Sequence, residues 1–257
     1  MKLFALLGEH LSHSYSPIIQ NRLFELKGLD YKYELKEIAK DEIKDTLELL
    51  RKGIYSGYNV TIPYKKEVMQ YLDEISDEAK AIGAVNTIKC KDGKLIGYNT
   101  DYYGFSMELN HYNINVSGKR CYVLGTGGAS LAVKKALVDL GATAISVSRT
   151  KSKDTITYDE LDVDSNDIIV NTTPLGMYPN VNASALSKDV ANKAFCIVDI
   201  IFNPSTTLLM SYNKNSYNGL LMLIGQAAKA QDIWLDKEVA VDLDIMNDYV
   251  EGVITNE

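Results

Sequence analysis

Short hydrophobic runs alternate with stretches of helical periodicity along nearly the whole chain. The patterns of strands lie at residues 3–7, 31–38, 57–60, 121–124, 144–148, 167–171 and 196–200. Helical patterns lie at residues 17–28, 40–51, 64–72, 130–141, 220–234 and 239–253. This alternation is typical of α/β proteins with a mainly parallel sheet. The pattern therefore predicts that fold class.

A β-hairpin is predicted near the end of the first block. Hydrophobic residues at 85–90 and 95–98 flank Lys91-Asp92-Gly93-Lys94. An Asp-Gly pair between two such runs is a strong signal for a hairpin turn. We expect a first domain to end just after it, near residues 98–101, and a second domain to follow.

A glycine-rich turn marks the second block. The strand at 121–124 leads into Gly125-Thr126-Gly127-Gly128-Ala129, then a helix and another strand. At such a turn backbone amides approach a pyrophosphate, and the helix amino terminus attracts its charge. The full GxGxxG pattern is not met, because Ser130 stands at the third glycine position. Tight packing of strand and helix is the alternative explanation of the glycines.

The end of the next strand favours a phosphorylated cofactor. NAD sites place an acidic residue there, about 20 residues after the glycines, to bind the ribose 2′-OH. This chain has Ser148-Arg149-Thr150-Lys151-Ser152-Lys153 instead. Three cations with hydroxyls suit a 2′-phosphate, which a guanidinium binds through paired hydrogen bonds. The segment predicts NADP, and a solvated basic loop is the alternative.

Three polar loops follow predicted strands of the first block. They contain Ser12-His13-Ser14-Tyr15-Ser16-Pro17, Asn59-Val60-Thr61-Ile62-Pro63-Tyr64-Lys65 and Gly97-Tyr98-Asn99-Thr100-Asp101. Because open α/β sheets bind ligands at the carboxyl ends of strands, we expect Asn59, Thr61 and Lys65 to face one cavity with the other loops. Structural alternatives exist for each residue. Ser16 and Asp101 suit helix caps, whereas Asn86 suits a turn and Lys65 an exposed cation at a helix start.

Composition and charge exclude several classes of protein. The 257 residues include 27 Lys and Arg against 34 Asp and Glu, a net charge of −7, which disfavours a nucleic-acid partner. No apolar run approaches the ~20 residues of a membrane-spanning helix. Three scattered cysteines and three histidines lack metal-site spacing, so no metal is predicted. The unpaired cysteines fit a cytoplasmic protein.

Taken together, these motifs resemble the shikimate dehydrogenase family. The resemblance covers nearly the whole chain, and the motifs occur in the family's order. They are Gly8 to Asn21 with His13-Ser14-Tyr15-Ser16-Pro17; Asn59-Val60-Thr61-Ile62-Pro63 with Lys65; Gly83-Ala84-Val85-Asn86-Thr87; Gly97 with Asn99-Thr100-Asp101 and Gly104; Gly125-x-Gly127-Gly128-Ala129; Arg149-Thr150; Asn171 with Pro174, Gly176 and Met177; Asp199 with Pro204 and Thr207; and Gly219 with Met222, Leu223 and Gln226.

The resemblance implies an enzyme of aromatic amino acid and chorismate biosynthesis. Its reaction is the reversible NADPH-dependent reduction of 3-dehydroshikimate to shikimate. The implied architecture has two domains with an active-site cleft between them. Residues 1–101 and 219–257 would form the substrate-binding and catalytic domain, and residues 102–218 a Rossmann-like NADP-binding domain.

The resemblance also implies residue roles. Lys65 and Asp101 are the implied catalytic pair. Ser14 and Ser16 are expected to bind the substrate carboxylate, and Asn59 is added from the loop pattern. The expected substrate pocket comprises Ser14, Ser16, Asn59, Thr61, Lys65, Asn86, Asp101, Phe202 and Gln226. The implied cofactor site comprises Gly125, Thr126, Gly127, Gly128, Ala129, Arg149, Thr150, Lys153, Ile200 and Gly219.

Four features depart from the family's pattern. His10 stands where the family has proline and Gln20 where it has histidine, and we expect both to be peripheral. Phe202 replaces a tyrosine whose hydroxyl reaches the substrate, so one contact worth ~1 kcal/mol should be missing. Only 13 residues separate Lys153 from Asp167, too few for a helix and a strand. We expect the covering helix there to be absent or shortened.

Two other functions compete with this interpretation. A quinate-tolerant or quinate-specific dehydrogenase would use the same scaffold, and the sequence separates the two substrates poorly. A non-catalytic dinucleotide-binding regulator would be expected to lack Lys65 or Asp101, and both are present. The sequence is compatible with a monomer and with a homodimer.

Overall fold

A computed structural model of the chain describes residues 1–12, 14–238 and 240–254. The chain divides into two units, which are described separately. The first contains Met1–Gly104 and Ile224–Val250. The second contains Phe105–Leu223 and the described residues after Val250. His13, part of a predicted substrate loop, and Val239, the first residue of a predicted helix, lie outside the described residues.

The first unit is built on a six-stranded sheet. Its elements before the hairpin are β1 (Lys2–Gly8), α1 (Ser16–Leu26), β2 (Tyr31–Glu37), α2 (Ile43–Arg51), β3 (Gly57–Val60), β4 (Glu74–Ile75) and α3 (Asp77–Ile82). The predicted hairpin follows as β5 (Thr87–Lys91) and β6 (Lys94–Tyr98). The strand order is β2-β1-β3-β5-β6-β4, and only the pairs of β5 with β3 and β6 are antiparallel.

Both faces of this sheet are covered by apolar side chains. Leu7 and Tyr58 belong to a core cluster on one face, and Phe4 and Trp234 belong to a second cluster. Because Phe4 and Leu7 lie three residues apart on β1, they point to opposite faces of the strand. Burial on both faces accounts for the continuous hydrophobic run that predicted β1.

Two helices lie where the chain passes from the first unit into the second and where it returns to the first. They are α4 (Asp101–His111) and α7 (Leu220–Leu235), and the last helix is α8 (Leu243–Ile254). The remaining elements of the second unit are β7 (Arg120–Leu124), α5 (Gly128–Asp139), β8 (Thr143–Ser148), β9 (Thr155–Thr157), β10 (Ile168–Asn171), α6 (Lys188–Ala191), β11 (Cys196–Asp199) and β12 (Ser216–Asn218).

The second sheet is parallel throughout, in the order β12-β11-β10-β7-β8-β9. From β7 the chain first moves to β8 and β9 and then returns to β10 on the other side of β7. Parallel α/β sheets bind ligands where the strand order reverses in this way. The turn after β7, which begins with Gly125, lies at that position. The predicted α/β class is confirmed in both units.

Two local predictions have different outcomes. Residues 64–72, predicted as an α-helix, form turns and a 3-10 helix at Glu67–Tyr71; that prediction is wrong. The covering helix expected to be absent or shortened after Lys153 is replaced by β9 and a 3-10 turn at Tyr158–Glu160, which confirms the prediction. None of the helices in the described part of the chain has the length and apolar character to cross a membrane.

Candidate active site

The predicted catalytic residues form an ion pair in the first unit. Lys65 lies in the loop after β3, and Asp101 is the first residue of α4. Lys65 Nζ donates to Asp101 Oδ2 at 2.7 Å, and the two side chains are only 16% and 10% exposed. The alternative that Lys65 is an exposed cation at a helix start does not hold, because its side chain is sheltered and no α-helix begins there.

Asn86 fixes the orientation of the Asp101 carboxylate. Its Nδ2 donates to Asp101 Oδ1 at 2.8 Å, and its Oδ1 accepts from the Thr100 main-chain N at 2.7 Å. The two oxygens of Asp101 therefore bind two different segments, one through Asn86 and one through Lys65. A carboxylate held at both oxygens can orient an amine and still lie beside a reacting hydroxyl.

The loop that carries Lys65 is held by main-chain hydrogen bonds. Thr61 N donates to Leu7 O at 2.9 Å, and Val85 N donates to Lys65 O at 2.8 Å. The buried Tyr64 hydroxyl donates to Ile38 O at 2.8 Å. The half-buried Thr61 and Lys65 thus belong to one anchored segment, which restricts where the amine can move.

Asn59 differs from its predicted role. Its Oδ1 accepts from Gln20 Nε2 and the Tyr33 hydroxyl, at 3.2 and 2.8 Å. Its Nδ2 donates to Asn86 O and Thr87 Oγ1, at 3.1 and 3.0 Å. All four hydrogen-bonding positions of the amide are occupied, and the residue is 5% exposed. Direct contact with substrate would break these bonds, so Asn59 supports Asn86 instead.

The remaining predicted substrate residues occupy three places. Half-buried Ser14 lies in the loop before α1 and half-buried Ser16 begins α1, and Ser16 N donates to Ser14 Oγ at 3.3 Å. Ser16 is the first residue of α1 and not its cap, which is Tyr15. Gln226 on α7 accepts from Thr100 Oγ1 at 3.4 Å, beside Asp101. Phe202 follows β11 in the second unit.

The glycine turn of the second unit fits a dinucleotide phosphate. Gly125 has a φ of +97°, and an added Cβ would meet Thr173 Cγ2 at 3.0 Å, so only glycine suits this position. A Cβ on Gly127, the residue before α5, would meet nothing within 4 Å. The space beside Gly127 at the start of α5 is therefore open, and a side chain at this position would fill part of it. Thr126 is exposed and Ala129 is half-buried in the same turn.

The basic segment after β8 contains one cation that forms an ion pair and two that do not, within the described residues. Lys151 forms an ion pair with Glu160. Arg149 and Lys153 are exposed, and neither forms an ion pair within the described residues. Thr150, also exposed, donates its main-chain N to Ser148 Oγ at 3.3 Å. Arg149 and Lys153 are therefore available to an anion in a way that Lys151 is not.

The ends of β11 and β12 bring Ile200 and Gly219 together. Gly219 N donates to Ile201 O at 3.1 Å, and a Cβ at Gly219 would overlap the Ile200 main chain. Asp199, the last residue of β11, accepts from Asn171 Nδ2 and Thr207 Oγ1, at 2.9 and 2.7 Å. Burial raises the pKa of Asp199 to about 6 despite these hydrogen bonds. The two backbones form a tightly fixed surface.

Known proteins resemble the chain in sequence. Residues 6–88 match the family model of the shikimate dehydrogenase substrate binding domain. The shikimate dehydrogenase (NADP(+)) of Clostridium beijerinckii is 44% identical over 248 residues, which cover 91% of this chain and 92% of that protein. The chain belongs to the shikimate dehydrogenase family.

Solved structures share the fold of this shikimate dehydrogenase family member. A chorismate mutase/shikimate 5-dehydrogenase fusion protein from Clostridium acetobutylicum has a TM-score of 0.95 and 38% identity, covering 99% of each chain. A shikimate dehydrogenase solved in complex with NADP+ has a TM-score of 0.90 and 35% identity, covering 99% of this chain and 96% of that chain. The predicted family is confirmed.

The sequence did not single out Glu108, a fully buried carboxyl on α4 of this shikimate dehydrogenase family member. Its Oε2 accepts from the Met222 main-chain N, in the first turn of α7, at 2.8 Å. Burial raises the pKa of Glu108 to about 8, and its Oε1 has no hydrogen-bond partner among the residues that the structure describes. A single acidic residue in a helical pattern normally indicates a solvated face, so no local pattern predicts this burial.

Proposed function

We propose that the chain reduces 3-dehydroshikimate to shikimate with NADPH, and runs the reverse reaction with NADP, using Lys65 and Asp101 as its catalytic pair. The observation that carries this proposal is the sheltered ion pair between Lys65 Nζ and Asp101 Oδ2, at 2.7 Å. An oxidoreductase of this family needs a proton donor beside the reacting oxygen. Lys65 supplies the amine, and Asp101 holds it in place.

NADPH supplies a hydride to the substrate carbonyl carbon when it is bound. The carbonyl oxygen then becomes an alkoxide, which takes a proton from Lys65 Nζ as the new C–H bond forms. Asp101 Oδ2 orients the amine and accepts a hydrogen bond from the new hydroxyl, while Asn86 holds Oδ1. In the oxidation direction Lys65 accepts the hydroxyl proton. Proton transfer of this kind contributes ~10²–10⁴-fold to a rate.

The other pocket residues are assigned by the chemistry of the substrate. Ser14 and Ser16 donate to the carboxylate, and Thr61, Asn86 and Gln226 bind ring hydroxyls. Phe202 lines the pocket without the hydroxyl that a tyrosine would offer. We assign residues 1–101 and 219–257 to this substrate domain and residues 102–218 to the NADP domain.

NADP is held by the second unit in this proposal. Gly125, Thr126, Gly127, Gly128 and Ala129 surround the pyrophosphate at the start of α5, and Ile200 with Gly219 lines the nicotinamide. Arg149, Thr150 and Lys153 bind the 2′-phosphate. Support comes from the open space before α5 and from the two cations that lack an ion pair.

Replacing Arg149 by Ala is expected to weaken NADP binding by ~1.5–3 kcal/mol, the worth of a charged hydrogen bond. NAD, which has no 2′-phosphate, should bind as before. Lys151→Ala is the matched control, because Lys151 lies in the same segment but is paired with Glu160. Fluorescence titration of both cofactors measures the effect. Equal kcat/KM values with NAD and NADP in the wild type would contradict the assignment.

Shikimate is expected to be a better substrate than quinate. Quinate carries an additional hydroxyl, and main-chain hydrogen bonds hold the loop around Thr61 and Lys65 in place, which restricts how far it can move to admit that group. A pocket rejects an added group less sharply than it misses a lost one, so the expected preference is about 10- to 100-fold in kcat/KM. Steady-state assays with both substrates check this. Equal or faster turnover of quinate would favour the quinate dehydrogenase alternative.

The location and assembly of the protein are part of the same proposal. Cys90, Cys121 and Cys196 are free thiols, which suits a reducing cytoplasm. Small-molecule substrates need no nucleic-acid or membrane partner. We propose no resident metal, since hydride and proton transfer need none. Light scattering on the purified chain decides between a monomer and a homodimer.

A further inference from the structure

Gln20 is a fully buried side chain on α1, and its amide groups all have partners. Its Nε2 donates to Asn59 Oδ1 at 3.2 Å and to Ala227 O at 3.4 Å. Its Oε1 accepts from Gln231 Nε2 at 2.8 Å, and its exposed fraction is 0%. The expectation that Gln20 is peripheral is wrong, because α1 directs this residue toward β3 and α7.

A series of hydrogen bonds connects Gln20 to the catalytic carboxylate. Asn59, which accepts from Gln20, donates through Nδ2 to Thr87 Oγ1 at 3.0 Å. The Thr87 hydroxyl donates to Asn86 Oδ1 at 3.0 Å, and Asn86 Nδ2 donates to Asp101 Oδ1 at 2.8 Å. Every donor points toward Asp101, and each of the four is uncharged. Hydrogen bonds aligned in series polarise one another and so strengthen the last one.

The direction of this series depends on which way the Asn59 amide faces. Its Oδ1 lies against two donors, Gln20 Nε2 and the Tyr33 hydroxyl. Its Nδ2 lies against two acceptors, Thr87 Oγ1 and Asn86 O. Turning the amide over would place Nδ2 against the Gln20 Nε2 donor and Oδ1 against the Asn86 O acceptor, in a buried region where unpaired polar groups are costly. Because the hydroxyls of Tyr33 and Thr87 can both donate and accept, Gln20 and the Asn86 carbonyl determine the orientation of Asn59.

We propose that Gln20 is a positioning residue for Asp101, acting through Asn59, Thr87 and Asn86. This inference rests on the proposed function, in which Asp101 orients Lys65 and contacts the reacting hydroxyl. Without the Gln20 donor, Asn59 has one fewer bond to fix its amide, and Asn86 loses part of its support. The carboxylate then spends less time in the geometry that directs Oδ2 to Lys65.

Replacing Gln20 by Met tests the proposal, because Met keeps the length of the side chain and removes both polar ends. We expect kcat for shikimate oxidation to fall about tenfold, the effect of one lost hydrogen bond, with the KM for NADP unchanged. Gln20→His retains a ring N–H donor and should keep at least about half of the wild-type kcat.

Asn213→Leu is the matched control for a loss of stability. Asn213 is a buried amide of the second unit that donates to Ala191 O and Ala194 O, at 3.2 and 2.8 Å. Its replacement should lower the melting temperature as Gln20→Met does, but leave kcat unchanged. If kcat falls only because the protein is less stable, it should fall in Asn213→Leu as well as in Gln20→Met. That result would overturn the proposal.

Thr87→Val breaks the same series in its middle and changes the side-chain shape very little, so it provides the test if Gln20→Met does not fold. It should also lower kcat about tenfold. Because both residues act through Asn86, the double variant should lie within about twofold of the lower single variant. Multiplication of the two effects, or wild-type kcat in both single variants, would overturn the proposal. A wild-type enzyme inactive on shikimate in the same assay would instead overturn the proposed function.

Discussion

Lys65→Met is expected to lower kcat by ~10²–10⁴ while NADP binding stays nearly unchanged. Methionine has a similar length but no proton to donate, so the alkoxide would form without a partner. The Lys65 amine lies 2.7 Å from Asp101 Oδ2 and is largely sheltered from water, which limits replacement of the amine by solvent. Steady-state kinetics and a separate titration of NADP binding measure the two expectations.

Lys66→Met is the matched control for this change. Lys66 is the next residue of the same loop and is exposed. Its replacement removes the same charge from the loop but should leave kcat within about twofold, as surface substitutions usually do. If Lys65→Met retained more than about a tenth of the wild-type kcat, proton transfer would have to use another group or water. The proposed mechanism would then be wrong.

Glu108→Gln is expected to make the protein more stable at alkaline pH and to change its stability little near pH 5. Burial raises the pKa of Glu108 from 4.5 to about 8. Between these two values the folded chain keeps a proton that the unfolded chain releases. The free energy of unfolding of the wild type therefore falls as pH rises through this window, by about 4 kcal/mol from this group. Glutamine stays neutral and avoids this loss.

Urea denaturation at about pH 5 and about pH 8.5 measures the difference. The free energy of unfolding of Glu108→Gln should exceed that of the wild type by more at the higher pH than at the lower pH. Glu9→Gln is the control, because Glu9 is an exposed carboxyl of the first unit. A difference between Glu108→Gln and wild type that does not change with pH would show that Glu108 ionises in the folded chain as it does in the unfolded one.

Most strands of the two sheets were predicted, because hydrophobic runs such as β1 and β7 are buried or a strong turn signal adjoins them, whereas the short strands β4, β9 and β12 were not predicted. The turn after β7 and the hairpin at Asp92-Gly93 are examples in which local sequence determines local structure. The α-helix predicted at residues 64–72 was wrong, because the spacing of hydrophobic residues there comes from two side chains that a loop buries. Tyr64 and Val68 are buried in the core under that loop, and a 3-10 turn brings them there as well as an α-helix would.

The site was predictable in its residue types but not in its partners. Lys65 and Asp101 stand 36 positions apart, and only the fold brings them to 2.7 Å. The sequence likewise could not show that Asn59 has no free polar atom. Gln20 and Glu108 were missed because burial of a polar residue depends on distant helices, here α7 in both cases. Long-range packing overrides the usual expectation that such residues are exposed.

The basic segment illustrates the same limit for charges. Its composition pointed to a 2′-phosphate, but only the family resemblance, and no local pattern, separated Arg149 and Lys153 from Lys151. Pairing with Glu160, which lies nine residues after Lys151 in the chain, separates Lys151 from Arg149 and Lys153. The turn at Tyr158–Glu160 places Glu160 beside Lys151 and so leaves Arg149 and Lys153 available to a ligand. No local pattern predicted this turn.

One measurement tests the central claim most directly: the wild-type chain is mixed with NADPH and 3-dehydroshikimate, and the nicotinamide absorbance is followed while shikimate is quantified. The proposed function predicts that NADPH disappears with an equal amount of shikimate formed. If NADPH binds, as a fluorescence titration would show, but is not consumed, the chain is a dinucleotide-binding protein without this activity. That result would contradict the assignment of Lys65 and Asp101 as a catalytic pair.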